Sequence, residues 1–337
     1  MPQRPRLTPA IADVRRAVRE AWMRHGVVAG DQILVACSGG PDSLALAAAA
    51  FFEGKRAGIA VGAVIVEHGL QPATKWVAEE TMRTLTELGG SPVIVRAVTV
   101  GTSGGPEAAA RAARYEALDE AAAAFDAKLV MLGHTLNDQA ETVLLGLARG
   151  SGNRSLNGMA ELNGRYLRPL LAISRETTVA FCEDSGLTAW IDPQNSDQKF
   201  TRVRVRKNVM PILEAELGPG VADALARTAE QLREDETALA ELAEHYYNEF
   251  VKARSTWLEI EIDDFAAMPL AIRHRVIALA LGVLKAPEFA RVHIRAIDAL
   301  VDDWHGQKPL ALPGVRVERT ARHIVLKTAK TLKPGAC

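Results

Sequence analysis

Short apolar runs alternate with longer amphipathic segments over the first half of the chain. The pattern predicts buried strands at 33–36, 61–66, 93–100 and 129–132, helices at 10–26, 74–88, 106–125 and 138–147, and an Ala/Leu-rich helix directly after residue 43. Short strands that alternate with longer helices are typical of βαβ units. We therefore expect an α/β domain, a parallel twisted sheet with helices on both faces.

The pattern changes at the chain-breaking run Gly218-Pro219-Gly220. Beyond it, apolar residues at helical spacing predict a long helix from residue 221 to 246, and further helical segments follow at 269–303. Two alternating runs, 315–317 and 324–326, predict a small C-terminal hairpin. We therefore predict two domains, 1–217 and a smaller, mostly helical 218–337.

Composition narrows the class of protein. The chain has 337 residues, of which 48% are hydrophobic and 24% charged, which excludes a disordered chain. Its longest apolar stretch, Leu44 to Phe52, is too short to cross a bilayer, and three scattered cysteines form no disulfide framework or CxxC pair. We expect a cytoplasmic protein without a membrane partner. Because the net charge is −1, a nucleic acid would have to be bound by local basic patches.

The first predicted strand leads into a polar loop with two glycines and then into a helix. Glycines allow close backbone approach, and the helix N-terminus favours an anion, so the loop predicts a phosphate site. It has neither the lysine of a Walker A loop nor the GxGxxG pattern of dinucleotide sites. The alternative is a structural turn in which Asp42 or Ser43 caps the helix. The candidate ligands are Ser38, Gly39, Gly40, Pro41, Asp42 and Ser43.

This loop resembles that of the N-type ATP pyrophosphatases, and further segments resemble the tRNA(Ile)-lysidine synthase family within that class. They are Glu67-His68-Gly69-Leu70, Glu107 to Leu118, Gly133-His134, Asp138 to Thr142, Arg149 to Gly152, Arg168 to Leu171, Asp192 to Asn195 with Asp197, and Phe200 to Arg204. The resemblance is strong over 31–217 and weak to about 328. The chain departs from the family pattern in having Gln71 for an arginine, Thr135 for a histidine, Asn137 for an aspartate and Val203 for an asparagine.

The resemblance implies a PP-loop ATPase fold, which is Rossmann-like, and an ATP-dependent carbon–nitrogen ligase. Such an enzyme joins free L-lysine to C2 of the wobble cytidine of a CAU-anticodon tRNA(Ile). An adenylated cytidine is the intermediate, and AMP and pyrophosphate are released. ATP and Mg2+ are the implied cofactors, and the second domain would dock the tRNA. A homodimer is an assembly that this prediction allows.

The resemblance also assigns catalytic candidates. Asp42 lies inside the loop and is the candidate metal ligand, and Gly133 is placed beside the nucleotide. His134, Asp138 and Glu141 follow the strand at 129–132, at the edge of the sheet where open α/β folds bind ligands. The side-chain amine of lysine has a pKa near 10.4, about 3.4 units above pH 7, so almost all of it is protonated. A carboxylate is needed to accept this proton before the amine can attack. Glu141, Asp138 and Glu67 all stay open as the base.

Basic residues form two candidate phosphate-binding groups. Arg111 and Arg114, which are also catalytic candidates, are three apart and share a helix face. They could meet triphosphate or RNA phosphate there, although such pairs are more often plain solvated charges. The second group is a basic segment that, if extended, places alternate arginines on one face, the alternative being an ordinary edge strand. The RNA-binding candidates in this segment are Lys199, Arg202, Arg204, Arg206 and Lys207.

Two other functions compete with this one. The first is another PP-loop tRNA-modifying or amide-forming enzyme, although the chain has no CxxC pair for cysteine-dependent thiolation and no glutaminase-like nucleophile. The second is a non-catalytic adenine-nucleotide-binding module, which the carboxylates Asp42, Asp138 and Glu141 argue against. ATP–pyrophosphate exchange separates them, because a module that only binds nucleotide shows no turnover.

Overall fold

The computed structural model describes residues 7–67, 72–99, 101, 105–150, 153–254, 257–287 and 289–329. The chain divides into two compact units, Met1–Arg233 and Glu234–Cys337. This division falls inside the helix that follows Gly220, whereas the domain boundary predicted from the sequence precedes that helix. In the part of the chain that is described, no helix is long and apolar enough to cross a membrane.

The first unit is an α/β domain, as the sequence predicts. Its sheet has the order β3-β2-β1-β4-β6-β5, and every neighbouring pair is parallel except β5 with β6. The elements are α1 (Pro9–Arg24), β1 (Gln32–Ala36), α2 (Pro41–Ala57), β2 (Ala60–Glu67), α3 (Pro72–Glu87), β3 (Val93–Ala97), α4 (Pro106–Ala124), β4 (Leu129–Leu132), α5 (Leu136–Arg149), α6 (Asn153–Leu156), β5 (Leu162–Asn163), β6 (Tyr166–Leu167), α7 (Arg175–Asp184), α8 (Thr201–Arg204) and α9 (Met210–Leu217).

Helices cover both faces of this sheet. Successive residues of a strand point to opposite faces, so a strand that is apolar throughout contributes to two cores. In β1, Ile33 and Val35 join the core formed with α1, α2 and α7, whereas Leu34 and Ala36 join the core formed with α4. The continuous apolar run in the sequence therefore reflects a strand buried on both sides.

The strand order reverses next to β1. The chain runs from β1 outward to β2 and β3, then returns to place β4 on the other side of β1, with Ala36 beside Leu132. Open α/β sheets bind ligands at such a switch point, outside the carboxyl ends of the strands. The two connections that meet there follow β1 and β4, and they contain the predicted loop and the predicted His134.

The second unit is not mostly helical, which corrects the sequence prediction. It contains a five-stranded antiparallel sheet of order β7-β8-β11-β10-β9. The predicted hairpin is present as β10 and β11, but within this larger sheet. The elements are α10 (Val221–Phe250), which begins in the first unit, and then β7 (Val251–Ala253), β8 (Trp257–Glu261), α11 (Ile262–Ala267), α12 (Leu270–Val283), α13 (Arg291–Asp302), β9 (Leu310–Leu312), β10 (Val315–Arg319) and β11 (His323–Thr328).

Candidate active site

The predicted phosphate loop connects β1 to α2. Gly39 has a φ of +81°, a conformation that glycine adopts without strain, and its carbonyl accepts a hydrogen bond of 2.8 Å from the Trp190 N–H. The Ser43 hydroxyl donates to the Gly40 carbonyl at 3.0 Å and accepts from the Ser38 N–H at 3.1 Å. Helix α2 has no side-chain cap at Gly40, so its N-terminus is open to an anion.

Asp42 does not cap this helix, because its carboxylate turns towards α7. Thr178 donates a hydrogen bond to its Oδ1, and the Arg175 Nε donates to its Oδ2 at 3.2 Å. Burial raises the pKa of Asp42, and the nearby Arg175 guanidinium opposes that shift. The carboxylate is thus held in a fixed orientation beside the phosphate loop.

The connection after β4 packs directly against the start of α2. A Cβ on Gly133 would lie 3.0 Å from the backbone C and O of Asp42 and from the Cα of Ser43, so only glycine fits there without displacement. The next residue, His134, has a pKa lowered by burial to about 3, although Asp138 favours its charged form. Its Nδ1 is buried and has no hydrogen-bond partner within the described residues.

Asp138 lies one turn into α5 and closes its N-terminus. It accepts hydrogen bonds from the Thr135 N–H at 2.9 Å and the Thr135 hydroxyl at 3.0 Å, a capping box. Its other oxygen accepts from Arg175 at 3.1 Å and Arg206 at 3.2 Å. Burial alone would raise the pKa of Asp138, but Arg175 and the Thr135 N–H outweigh burial and hold it below its usual value.

Glu141 is the most deeply buried carboxylate of the group, with a side chain that is 1% exposed. Arg202 donates from Nε to its Oε2 at 2.9 Å, and Arg206 donates from Nε to its Oε1 at 2.6 Å. A buried carboxylate is tolerated when it is paired and hydrogen-bonded in this way. Glu141 therefore holds two arginines of the segment that was predicted to bind RNA.

That basic segment is helical, not extended, which corrects the sequence prediction. It forms α8 and a π-helical turn at Val205–Val209. Arg202 and Arg206 are four residues apart, so a helical turn brings both to one side, where they pair with Glu141. Arg204 is exposed on the other side, together with Lys199 and Lys207. The five predicted RNA-binding residues are thus divided between an inner pair and an outer group.

The two arginines of α4 also separate. Arg114 is partly buried and faces the same cavity as the phosphate loop, and burial lowers its pKa. Arg111 is exposed, and its guanidinium lies over the ring of Tyr115 at 4.9 Å from the ring centre. The structure therefore brings only one of them to the site.

One cavity of about 340 Å³ lies at the carboxyl ends of β1 and β4, and Glu141, Arg202 and Arg111 are not among the residues that line it. Arg175, Trp190 and Ile191 line it but were not predicted from the sequence. Arg175 begins α7, where acidic residues are the more usual choice, and that unusual cation was the available signal. The lining residues are Ala36, Ser38, Gly40, Pro41, Asp42, Ser43, Arg114, Gly133, His134, Asp138, Arg175, Trp190, Ile191, Asn195 and Arg206.

The donor set of this cavity suits a cation that arrives with its substrate. Within the described residues, no group of three or more His, Cys, Asp or Glu could hold a metal ion by itself. Two carboxylates, Asp42 and Asp138, do line the cavity. Mg2+ is commonly held by one or two carboxylates together with substrate phosphates and water, so these residues fit it.

The comparisons with known proteins agree with this site. Residues 12–213 match the profile of a PP-loop domain, and residues 261–324 match that of the TilS substrate binding domain. A relative from Leifsonia xyli subsp. xyli is 54% identical over 88% of this chain and 89% of its own length, and its name is tRNA(Ile)-lysidine synthase. The chain belongs to the tRNA(Ile)-lysidine synthase family.

Further comparisons support the family and the fold. A relative from Thermobifida fusca, also named tRNA(Ile)-lysidine synthase, is 48% identical over 94% of this chain and 96% of its own length. Among solved structures, the U34-tRNA thiolase NcsA from Methanococcus maripaludis aligns with a TM-score of 0.57. It is 19% identical and covers 67% of this chain and 80% of its own, so this likeness concerns the PP-loop fold alone.

Two departures from the pattern of the tRNA(Ile)-lysidine synthase family have structural roles. Thr135 is the N-cap residue of α5, and the Asn137 Oδ1 accepts a hydrogen bond of 2.8 Å from the Arg175 N–H. Asn137 thereby connects the starts of α5 and α7. The segments at 68–71, which includes Gln71, and at 151–152 lie outside the described residues.

Proposed function

We propose that this protein is an ATP-dependent ligase that joins free L-lysine to C2 of the wobble cytidine of a CAU-anticodon tRNA(Ile). The reaction passes through an adenylated cytidine and releases AMP and pyrophosphate. The observation that carries the proposal is the single cavity that combines the Ser38–Ser43 loop with Asp42 and Asp138. The names of the relatives, at 43–54% identity, point to the same reaction.

The phosphates of ATP would be bound by the loop. The unpaired N–H groups at the start of α2 favour an anion, and the partly buried Arg114 adds a positive charge on the facing wall. Asp42 is the residue that would hold Mg2+, with Asp138 next to it. A bound Mg2+ would neutralise phosphate charge, which is the main electrostatic demand of this chemistry.

The attacking amine of lysine must lose its proton. At pH 7 the neutral form is about 4.6 kcal/mol less stable than the charged form, so a base is needed. Of the three candidates Glu141, Asp138 and Glu67, Asp138 is the one that lines the cavity and could contact the amine, although its oxygens already accept hydrogen bonds from Thr135, Arg175 and Arg206 and its lowered pKa makes it a weak base. Glu141 is saturated by Arg202 and Arg206, which gives it a positioning role for these guanidiniums.

The tRNA would be held by exposed cations near the cavity and by the second domain. Lys199, Arg204 and Lys207 are exposed and would meet RNA phosphates, and the Arg204 guanidinium also donates hydrogen bonds to the Gln198 and Lys199 carbonyls and to the Thr201 hydroxyl. In this proposal residues 1–217 are the catalytic domain and 218–337 dock the tRNA, as the substrate-binding match at 261–324 supports. A cytoplasmic location, a homodimeric assembly and a catalytic role for Arg111 stay predictions.

Incorporation of labelled lysine into purified transcripts tests the proposal. With ATP and Mg2+, we expect incorporation into a CAU-anticodon tRNA(Ile) and much less into a CAU-anticodon tRNA(Met). Equal incorporation into both would contradict the predicted discrimination. ATP–pyrophosphate exchange without any lysine incorporation would show another PP-loop activity instead.

A further inference from the structure

One guanidinium in the active site contacts three carboxylates. The Arg175 Nε donates a hydrogen bond to the Asp42 Oδ2 at 3.2 Å, and its Nη2 donates to the Asp138 Oδ1 at 3.1 Å. Its Nη1 lies 3.7 Å from the Glu141 Oε1. Burial alone would lower the pKa of Arg175, but these three carboxylates outweigh burial and raise it. The Arg175 side chain is therefore a charged bridge between the phosphate loop and α5.

The position of Arg175 in its own helix is unfavourable for a cation. It is the first residue of α7, where the positive end of the helix dipole repels a positive charge. Its N–H donates to the Asn137 Oδ1 at 2.8 Å, which fixes the backbone. Its side chain keeps 22% of its surface exposed and lines the cavity that contains the phosphate loop. The backbone of Arg175 is thus anchored, whereas its guanidinium has an open side towards the cavity.

The oxygens that Arg175 contacts are the ones for which a metal ion would compete. The other oxygen of Asp42 accepts a hydrogen bond from the Thr178 hydroxyl, and the other oxygen of Asp138 accepts from the Thr135 N–H and hydroxyl. These donors are neutral and do not repel a cation, whereas a guanidinium at the same carboxylate does. A Mg2+ ion on Asp42 therefore competes with Arg175 and not with Thr178.

The charges around Arg175 balance among the side chains of the cluster itself. The cluster has three carboxylates and three guanidiniums, namely Asp42, Asp138, Glu141, Arg175, Arg202 and Arg206. Mg2+ alone would give this partly buried cluster an excess of positive charge, which is unfavourable. Mg2+ that arrives with a triphosphate reverses the excess, because the phosphates carry more negative charge than the metal ion neutralises. The cluster therefore favours the complex over the bare metal ion.

We propose that Arg175 is a counter-ion that exchanges its partners, an inference that rests on the proposed ATP-dependent function. Its guanidinium holds Asp42 and Asp138 in position and keeps a bare metal ion away from them. When Mg2+ arrives with ATP, the guanidinium leaves the Asp42 Oδ2 and pairs with the phosphates, which the planar fork of an arginine binds well. Arg175 and the phosphate loop line the same cavity, so a rotation of this side chain is sufficient.

Removal of the Arg175 charge is expected to change two affinities in opposite directions. Arg175→Gln leaves Asp42 and Asp138 with fewer positive partners, so without nucleotide it should bind Mn2+, a probe for the Mg2+ site, about tenfold more tightly than the wild type. With Mg2+ present, its dissociation constant for ATP should rise about tenfold, because a charged contact to the phosphates is lost. Electron paramagnetic resonance measures bound Mn2+, and calorimetric titration measures ATP binding.

Arg83→Gln is the matched control for these measurements. It removes an exposed guanidinium of α3 that pairs with Glu80 and does not line the cavity, so both affinities should equal those of the wild type. A purely structural role for Arg175 would lower both affinities in Arg175→Gln. An unchanged Mn2+ affinity would show that Arg175 does not compete with the metal ion, and an unchanged ATP affinity that it does not reach the phosphates. Each of these three results overturns the exchange.

Arg175→Lys serves if glutamine prevents folding. A lysine keeps the charge but lacks the fork through which Arg175 contacts Asp42 and Asp138 together. We expect its Mn2+ affinity without nucleotide to exceed that of the wild type about threefold, and an affinity equal to the wild type overturns the exchange. These measurements need neither lysine nor tRNA. If the wild-type protein binds ATP but incorporates no lysine, the ligase function fails, and the two affinities still decide on the exchange.

Discussion

The carboxylate of Asp42 is fixed by Thr178 and Arg175 at the rim of the phosphate loop. Asp42→Asn keeps the shape and an acceptor for Thr178, but it removes the charge that a divalent cation requires. We expect lysine incorporation to fall by about 100-fold or more. The far-UV circular dichroism spectrum should stay unchanged, as it should for the control Asp119→Asn. A collapsed spectrum for Asp42→Asn alone would contradict this role and favour a structural one.

His134 makes the stability of the protein depend on pH. Its pKa is about 3 in the folded protein, against 6.5 for the free side chain, so below pH 6.5 the unfolded state takes up a proton that the folded state does not. The stabilisation from neutral His134 is therefore lost as the pH falls, at a limiting rate of about 1.4 kcal/mol per pH unit.

Urea unfolding between about pH 7 and pH 5.5 measures this loss. We expect His134→Gln to lose less unfolding free energy over this range than the wild-type protein. The control His305→Gln removes an exposed histidine and should behave as the wild type does. Equal losses for His134→Gln and the wild type would contradict the low pKa.

Single residues of the site could be predicted where they follow a buried strand. The apolar runs of β1 and β4 are evident in the sequence, and the site residues Asp42, His134 and Asp138 follow them. Because these strands are parallel, the residues that follow them lie at the same edge of the sheet. Arg175 could not be found in this way, because the strand before it, β6, has only two residues and leaves no apolar run in the sequence. Its role depends on where α7 packs, which local patterns do not encode.

At the scale of elements, the basic segment is joined to α5 by the ion pairs of Arg202 and Arg206. Arg206 bonds both Glu141 and Asp138, so Arg206→Gln leaves a buried carboxylate with fewer partners. We expect it to lower the unfolding free energy by about 2–4 kcal/mol in urea titration. Lys207→Gln, which changes an exposed cation of the same segment, is the control, and we expect a change below about 0.5 kcal/mol. Equal losses for the two variants would contradict the division of this segment.

The alternation of Arg and Val in this segment explains why the sequence predicted a strand. Val203 and Val205 are both buried, a spacing of two that strands and short irregular helices share. The deciding contacts are the ion pairs from Arg202 and Arg206 to Glu141, some sixty positions earlier in the chain. The sequence pattern of the segment itself therefore gives no information about these ion pairs.

For the whole molecule, the near-zero net charge limits how tRNA can be attracted. At a net charge of −1, long-range attraction is weak and affinity must come from local contacts. We expect the double variant Arg204→Gln/Lys207→Gln to weaken tRNA binding and to reduce the slope of log K against log salt by about 1.5–2. Lys55→Gln, which removes an exposed cation from the end of α2, should leave the slope unchanged. An unchanged slope in the double variant would exclude these two side chains from the RNA phosphates.

The parallel sheet could be predicted from the sequence and the antiparallel one could not. The strands β1 to β4 of the first sheet are each followed by a long helix, so the repeating pattern identifies the fold locally. In the second unit, β8 pairs with β11, and three helices and two strands lie between them in the chain. The strand β7 has only three residues, too few for any periodicity. Pairing of short, distant strands is decided by the assembled core.

The tight contact at Gly133 has a consequence for redesign. A single hydrogen atom on its Cα is the spacer between the chain after β4 and the first turn of α2, with 3.0 Å left for any added carbon. Even alanine would push the first turn of α2, and with it the phosphate loop, away from His134. Redesign for a larger nucleotide should therefore start at Ile191 and Asn195, which line the cavity and have exposed side chains.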